Sequence, residues 1–300
     1  MPSPLPHHAS DAPDGAMTLS RLSAALKAQL APLGSEARDV ARIIIEDLLG
    51  YDATAVVVNG DRVLQEATVS RLSRAAARVV AGEPVQYVVG KARFAGLDFA
   101  VTPATLIPRP ETEALTDMII DDAGREPDLR VLDVGTGSGC IAITLARALR
   151  FARVEAVDIS AEALAVAADN ARRLRAKVQF TCADALAMRL DCEAYDIIVS
   201  NPPYVCSCEA AEMDRRVLDH EPHRALFVPD DDPLLFYRAI AEQALRALRP
   251  GGKLYFEINP LHSAAMATML TAMGYDGVAL HRDYLGRVRY ATATKPHRDA

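Results

Sequence analysis

Asn201-Pro202-Pro203-Tyr204 is the stretch of this chain whose residue types and spacing point most directly to chemistry. Two consecutive prolines fix the backbone and carry no N–H, so nearby carbonyls stay free as acceptors and the asparagine amide is held rigidly. The Asn201 side-chain oxygen and the Pro202 carbonyl can then accept both hydrogens of one planar NH2 group, with Tyr204 as a flat apolar wall. Such a corner recognises an amide or amino nitrogen; a rigid loop that only stops a strand is the plain alternative. The tetrad follows directly on Tyr195-Asp-Ile-Ile-Val-Ser200, which reads as a strand. The carboxyl end of a parallel strand is where α/β sheets bind ligands.

A second stretch has the character of a cofactor loop. Val131-Leu-Asp133-Val-Gly135-Thr136-Gly137-Ser138-Gly139-Cys140-Ile141 reads as a buried strand, a glycine-rich turn and a helix start. Glycine lets the backbone turn sharply and approach a ligand closely because no Cβ intervenes. Asp133, at the strand end, is expected to meet a polar or cationic ligand group. A dinucleotide fingerprint would place its third glycine or alanine at position 140, where this chain has cysteine. The next strand-like run ends in Asp158, at the distance where a carboxylate accepts from ribose hydroxyls. An adenosine ligand without a pyrophosphate, S-adenosylmethionine, fits this pattern better than a dinucleotide. Asp184, after the third strand, is expected at the adenine amino group, with a turn cap as the alternative.

The elements that must position these groups follow from periodicity. Leu19, Leu22, Leu26 and Leu30, then Val40, Ile43, Ile44 and Leu48, then Leu72, Ala76 and Val79 recur at helical spacing. They predict a small helical domain over residues 17–88, with Ser70 as a helix cap. A glycine turn within Phe94–Val101 predicts a hairpin. Pro103, Pro108 and Pro110 keep the following stretch extended, so residues 89–110 read as hairpin and linker. From Glu111 the strand-like runs 131–134, 154–158, 178–182, 196–200 and 253–258 alternate with the helix-like runs 141–149, 161–174 and 234–248. That alternation predicts an α/β domain over 111–295 with a mostly parallel sheet, ending in a hairpin around Gly286.

Taken together, these segments resemble the N5-glutamine methyltransferases that modify peptide chain release factors. The resemblance is carried by Phe94-Ala-Gly-Leu-Asp-Phe99, Leu106-Ile-Pro-Arg-Pro-Glu-Thr-Glu113, the glycine loop, Val157-Asp-Ile-Ser160, Ser200-Asn-Pro-Pro-Tyr-Val205 and Glu221-Pro222. It implies a class I, Rossmann-like methyltransferase domain behind a helical domain that helps dock the substrate. It also implies transfer of a methyl group from S-adenosylmethionine to the glutamine of a release factor's Gly-Gly-Gln motif. Donor contacts are carried over onto Gly135, Thr136, Gly137, Ser138, Gly139, Asp158 and Asn201, with Asp184 and Ala185 expected at the adenine-side turn. The catalytic and substrate contacts fall on Asn201, Pro202, Pro203 and Tyr204. Two departures stand out: Ala185 where many relatives carry an aromatic residue, and Glu257-Ile-Asn-Pro260 in place of Glu-Ile-Gly. Glu221 is expected near the substrate entrance or as a solvated loop charge, and Arg109 with Glu111 at the active-site rim or in an ion pair.

Composition narrows the alternatives. The 300 residues carry 33 basic and 40 acidic side chains, a net charge of −7, with no run of like charge. This disfavours a general electrostatic grip on nucleic acid or anionic membrane, and with it an adenine-N6 nucleic-acid methyltransferase. The remaining rivals are a methyltransferase acting on a ribosomal protein's glutamine and a non-catalytic assembly factor that binds the same cofactor. Five cysteines without a C-x-x-C pair do not suit a disulfide framework. Residues 1–16 read as a flexible leader without the character of a signal peptide, and the expected location is the cytoplasm. Cys206-x-Cys208 and His220-x-x-His223 read as loop thiols and surface histidines, so no metal is expected. Cys140 reads as a small packing residue.

Overall fold

A computed structural model describes residues 16–297. The expected leader lies outside the described residues but for Ala16. The chain divides into two compact units, the break falling between Gly90 and Lys91. Among the described residues no helix is long and apolar enough to cross a membrane.

The first unit is helical, with α1 (Leu19–Gln29), α2 (Ala37–Leu49), α3 (Ala53–Val58), α4 (Glu66–Val80) and α5 (Val85–Val89). Its core is the apolar stripe expected from the spacing: Leu19, Leu22, Leu26 and Leu30 meet Ile44, Leu72, Ala76 and Val79. Thr18 caps α1 by accepting from Arg21 N, and Asp52 caps α3 by accepting from Ala55 N. Ser70 is not a cap. It lies inside α4, which starts a turn earlier because Gln65 is already extended and Glu66 favours the first turn.

The second unit opens with β1 (Lys91–Phe94) and β2 (Leu97–Ala100), paired antiparallel across Ala95-Gly96. This hairpin is not a linker. Phe94 and Phe99 are buried edge to face, with centroids 6.0 Å apart, in the cluster that contains Leu115, Ile119 and Ile143. Asn170 binds the Ala100 backbone through both N–H and C=O and also donates to the Ser138 carbonyl, joining the hairpin to the glycine loop. Helix α6 (Pro110–Ala123) starts at its proline, which suits a first helical position whose N–H would be unpaired anyway.

The main sheet follows with β3 (Arg130–Val134), α7 (Cys140–Ala148), β4 (Arg153–Asp158), α8 (Ala161–Arg173), β5 (Val178–Cys182) and β6 (Tyr195–Ser200). Next come the short β7 (Val205–Cys206), α9 (Arg215–His220) and β8 (Phe227–Val228), then α10 (Leu235–Ala247) and β9 (Leu248–Glu257). Helix α11 (Ser263–Ala272), β10 (Asp276–Arg282) and β11 (Val288–Thr294) complete the unit. The order is β10-β11-β9-β6-β3-β4-β5, with β9, β6, β3, β4 and β5 parallel and β10 and β11 antiparallel.

The strand order reverses between β3 and β6. Val134 is paired with Ser200 at their carboxyl ends, where Ser200 Oγ donates to the Val134 carbonyl at 2.6 Å. The two chemical stretches identified from the sequence start one residue beyond this pair. A ligand crevice is expected at such a switch point.

Candidate active site

A cavity of about 580 Å³ opens over the ends of β3, β4 and β6, within the range of small-molecule sites. Its lining includes Gly135 and Gly137 after β3, Asn201, Pro202 and Pro203 after the neighbouring β6, and, beyond β3 on the other side, Asp158 after β4 and Asp184 and Ala185 after β5. Gly135 has φ of +77° and Gly137 +56°, a region L side chains seldom occupy, and a Cβ at either would meet nothing within 4 Å. The loop is therefore an open cradle. Asp158 Oδ2 accepts from Gly137 N at 2.9 Å and Oδ1 from Ser160 N at 2.8 Å, which fixes the loop to the end of β4. A carboxylate has about four acceptor sites, so Asp158 keeps capacity for hydroxyl donors. Asp184 uses Oδ1 to accept from Leu186 N, a turn bond, and still faces the cavity.

Not every expected contact lies here. Asp133 is fully buried and does not line the cavity; its Oδ2 accepts from Thr136 Oγ1 at 2.6 Å and from Ala142 N at 3.2 Å. Burial pushes its pKa up to about 7, opposed by those two hydrogen bonds and reinforced by Asp158. Its role is to brace the loop from behind. Thr136 and Ser138 are buried too, and Gly139 faces α8, where a Cβ would come within 3.1 Å of the Ala167 methyl. Cys140 is buried with its thiol pKa raised to about 12 by desolvation, which suits packing and not attack.

On the tetrad side, Asn201 Nδ2 donates to Thr112 Oγ1 at 3.1 Å, and Thr112 Oγ1 donates to Glu257 Oε2 at 2.7 Å. This chain turns the other end of the amide, Oδ1, into an available acceptor. Among the described residues no donor takes the Pro202 carbonyl. Tyr204 is not a wall of the large cavity. Its hydroxyl donates to Glu257 Oε1 at 3.2 Å, and its ring lines a neighbouring cavity of about 170 Å³ that shares Asn201 and Leu106. Glu257 is buried, and desolvation raises its pKa against the bonds from Thr112 and Tyr204.

Arg109 pairs with Glu221, not with Glu111, whose carbonyl accepts from Tyr290. Glu221 is no solvated loop charge: it is buried, with one oxygen on the Arg109 guanidinium and the other accepting from Ile107 N at 3.2 Å. The pair pins the proline-rich segment beside both cavities. At Ala185, where an aromatic residue was wanting, Ile159 and Leu186 line the cavity and expose apolar side chains. Periodicity does not reveal these two, because both lie in turns after strands.

Residues 19–90 match the PrmC N-terminal domain family, and residues 111–220 match the Methyltransferase small domain family. A release factor glutamine methyltransferase of Bacteroides thetaiotaomicron is 44% identical over 281 residues, covering 92% of this chain and 100% of that protein. The chain belongs to the release factor glutamine methyltransferase family. A member from Cereibacter sphaeroides is 39% identical over 268 residues, covering 89% of this chain and 94% of its own length. The solved structure of a release factor-specific protein-(glutamine-N5) methyltransferase from Alicyclobacillus acidocaldarius subsp. acidocaldarius shares 29% identity. That match covers 66% of this chain and 99% of the other, with a TM-score of 0.39.

As a member of this methyltransferase family, the chain is an enzyme dependent on S-adenosylmethionine, with the class I fold described above. The cavity fits that donor. The glycine cradle leaves room against the backbone, Asp158 and Asp184 bring carboxylate acceptors to the cavity, and Ile159 and Leu186 add apolar lining.

Proposed function

We propose that this chain methylates the side-chain amide nitrogen of the glutamine in a release factor's Gly-Gly-Gln motif, with Asn201 and the Pro202 carbonyl as its amide-binding groups. The observation that carries this reading is the orientation of Asn201. Its nitrogen is committed to Thr112, so its oxygen is the group offered to an incoming NH2. Pro202 supplies the second acceptor, because neither proline of the tetrad has an N–H and its carbonyl has no donor among the described residues.

A carboxamide nitrogen is a poor nucleophile, since its lone pair is delocalised into the carbonyl. S-adenosylmethionine, when bound, supplies an electrophilic sulfonium methyl. Asn201 and Pro202 hold both N–H bonds and so direct the nitrogen lone pair towards that methyl. Each hydrogen bond contributes about 1 kcal/mol net against water. Fixed alignment can contribute as much as about 7–11 kcal/mol, so orientation outweighs polarisation. No general base is assigned, because the nitrogen becomes acidic on methylation and its proton can leave to water. Asp158 is placed for the ribose, Asp184 for the adenine edge, and Gly135 and Gly137 for close backbone approach. Asp133, Thr136, Ser138 and Gly139 shape the loop without touching the donor.

The Arg109–Glu221 pair and the second cavity, next to Asn201 and lined by Tyr204, Met213 and Val217, suit the backbone that flanks the glutamine. A cytoplasmic enzyme acting on the translation machinery agrees with unpaired cysteines. Incubation with donor and a purified release factor, followed by mass spectrometry of the Gly-Gly-Gln peptide, tests the proposal. The expected result is a gain of one CH2 on glutamine; an unmodified release factor alongside a modified ribosomal protein would overturn it.

A further inference from the structure

We propose that Cys206, Glu209 and His262 form a binding site for a zinc ion that ties β7 to the corner after β9. None of these residues belongs to the methyl-transfer site, and the inference does not rest on the function proposed above. Cys206 Sγ and His262 Nε2 are 3.7 Å apart, and with a Glu209 carboxylate oxygen the three ligand atoms lie within 4.8 Å of one another. Zn–S and Zn–N bonds of about 2.3 and 2.0–2.1 Å at a tetrahedral angle separate sulfur and nitrogen by about 3.6 Å. The sulfur and the imidazole nitrogen are thus already at coordinating separation, with the carboxylate beside them.

The surroundings hold the carboxylate of the cluster in place. Asn259 Nδ2 donates to Glu209 Oε1 at 3.1 Å and Oε2 at 3.2 Å, and Cys206 N donates to Oε1 at 2.8 Å. Outer partners of this kind hold a ligating carboxylate in place. Cys206 is buried, whereas Cys208 is exposed and His223 Nε2 is bound to the Leu218 carbonyl. The cluster joins residues 56 positions apart and uses neither Cys208 nor the His220-x-x-His223 pair. One sulfur, one imidazole and one carboxylate favour zinc over magnesium or calcium, and a fourth position remains for water.

A free cysteine thiol is protonated at neutral pH. Coordination must displace that proton to solvent: the S–H bond breaks as the Zn–S bond forms. Thiolate and carboxylate together then neutralise the 2+ charge.

The full chain, reduced and stripped with a chelator, should be titrated with Co2+ and then with Zn2+. The expected result is one equivalent bound, with thiolate-to-cobalt charge-transfer absorption, four-coordinate d–d bands, and bleaching by zinc. Cys206→Ser should abolish the charge-transfer band and Cys208→Ser should retain it. Asn259→Ala should weaken binding by about 10–100-fold. If Cys206→Ser fails to fold, His262→Gln replaces it, with altered d–d bands and weakened binding expected. Absence of charge transfer in the parent chain, its persistence in folded Cys206→Ser, or His262→Gln binding as tightly as the parent would each overturn the assignment.

Discussion

Thr112 accepts a hydrogen bond from the Asn201 side-chain nitrogen, and it does so because its own proton is committed to Glu257. With its single proton donated to Glu257, the Thr112 hydroxyl can offer Asn201 only a lone pair. The amide of Asn201 is thereby held in one of its two orientations, oxygen outward. Under the proposed function Glu257 and Thr112 are positioning residues that act on the substrate amide through Asn201.

Removing the Thr112 hydroxyl while keeping its shape, as in Thr112→Val, frees the amide to rotate. We expect kcat to fall roughly tenfold, the worth of one such bond in an aligned site, while donor affinity stays the same. Asn201→Ala should lower kcat further, with little change in donor Kd. Steady-state methylation of a release factor and calorimetric donor binding separate the two quantities. A wild-type rate for Asn201→Ala would refute the amide-binding role.

The glycines should separate by function. Gly135→Ala forces a side chain into left-handed backbone and extends a methyl group into the open cradle. The strain costs about 1–2 kcal/mol, and donor affinity should fall by at least tenfold. Gly139→Ala instead drives a Cβ within 2.9 Å of Ile143 Cδ1 and 3.1 Å of Ala167 Cβ. Its main loss should be in thermal stability. Paired calorimetry and melting curves distinguish these outcomes; equal effects on both readouts would contradict the assignment.

Asp133 makes stability depend on pH. Its native pKa is raised from 3.8 to about 7 by burial, so between those values the native state holds a proton that the unfolded chain has released. Stability therefore falls as pH rises from about 4 to about 7 and levels off above, by up to about 4 kcal/mol from this group. Asp133→Asn should remove that slope and be most stabilising, relative to the parent, above pH 7. Urea unfolding from pH 5 to 8 measures it, and parallel pH profiles would count against a raised native pKa.

Breaking the Arg109–Glu221 pair leaves a buried carboxylate without its cation. Arg109 is a third exposed, so solvent recovers part of the loss, and Arg109→Ala should cost about 1–3 kcal/mol. The segment 102–109 should exchange its amide hydrogens faster, and KM for the protein substrate should rise more than KM for the donor. Unchanged exchange in that segment would show that the pair does not hold it.

The sequence by itself determined what local rules govern. Positive φ demands glycine at 135 and 137, paired prolines make a rigid acceptor corner at 202 and 203, and hydrophobic period separates the helical unit from the alternating α/β unit. What only tertiary structure decided is which side chains meet across long separations. Strand order brings β3 and β6 edge to edge, joining the glycine loop to the tetrad. Thr112 reaches Asn201 over 89 positions, Arg109 reaches Glu221 over 112, and Cys206 reaches His262 over 56. Depth was hidden as well: Asp133 sits near the end of β3, as a ligand-binding acid would, yet its side chain is fully buried beneath the loop it supports. Local pattern fixes backbone conformation because sterics act between near neighbours. Partner choice depends on how the strands are ordered in space, and no short stretch of residues encodes that order.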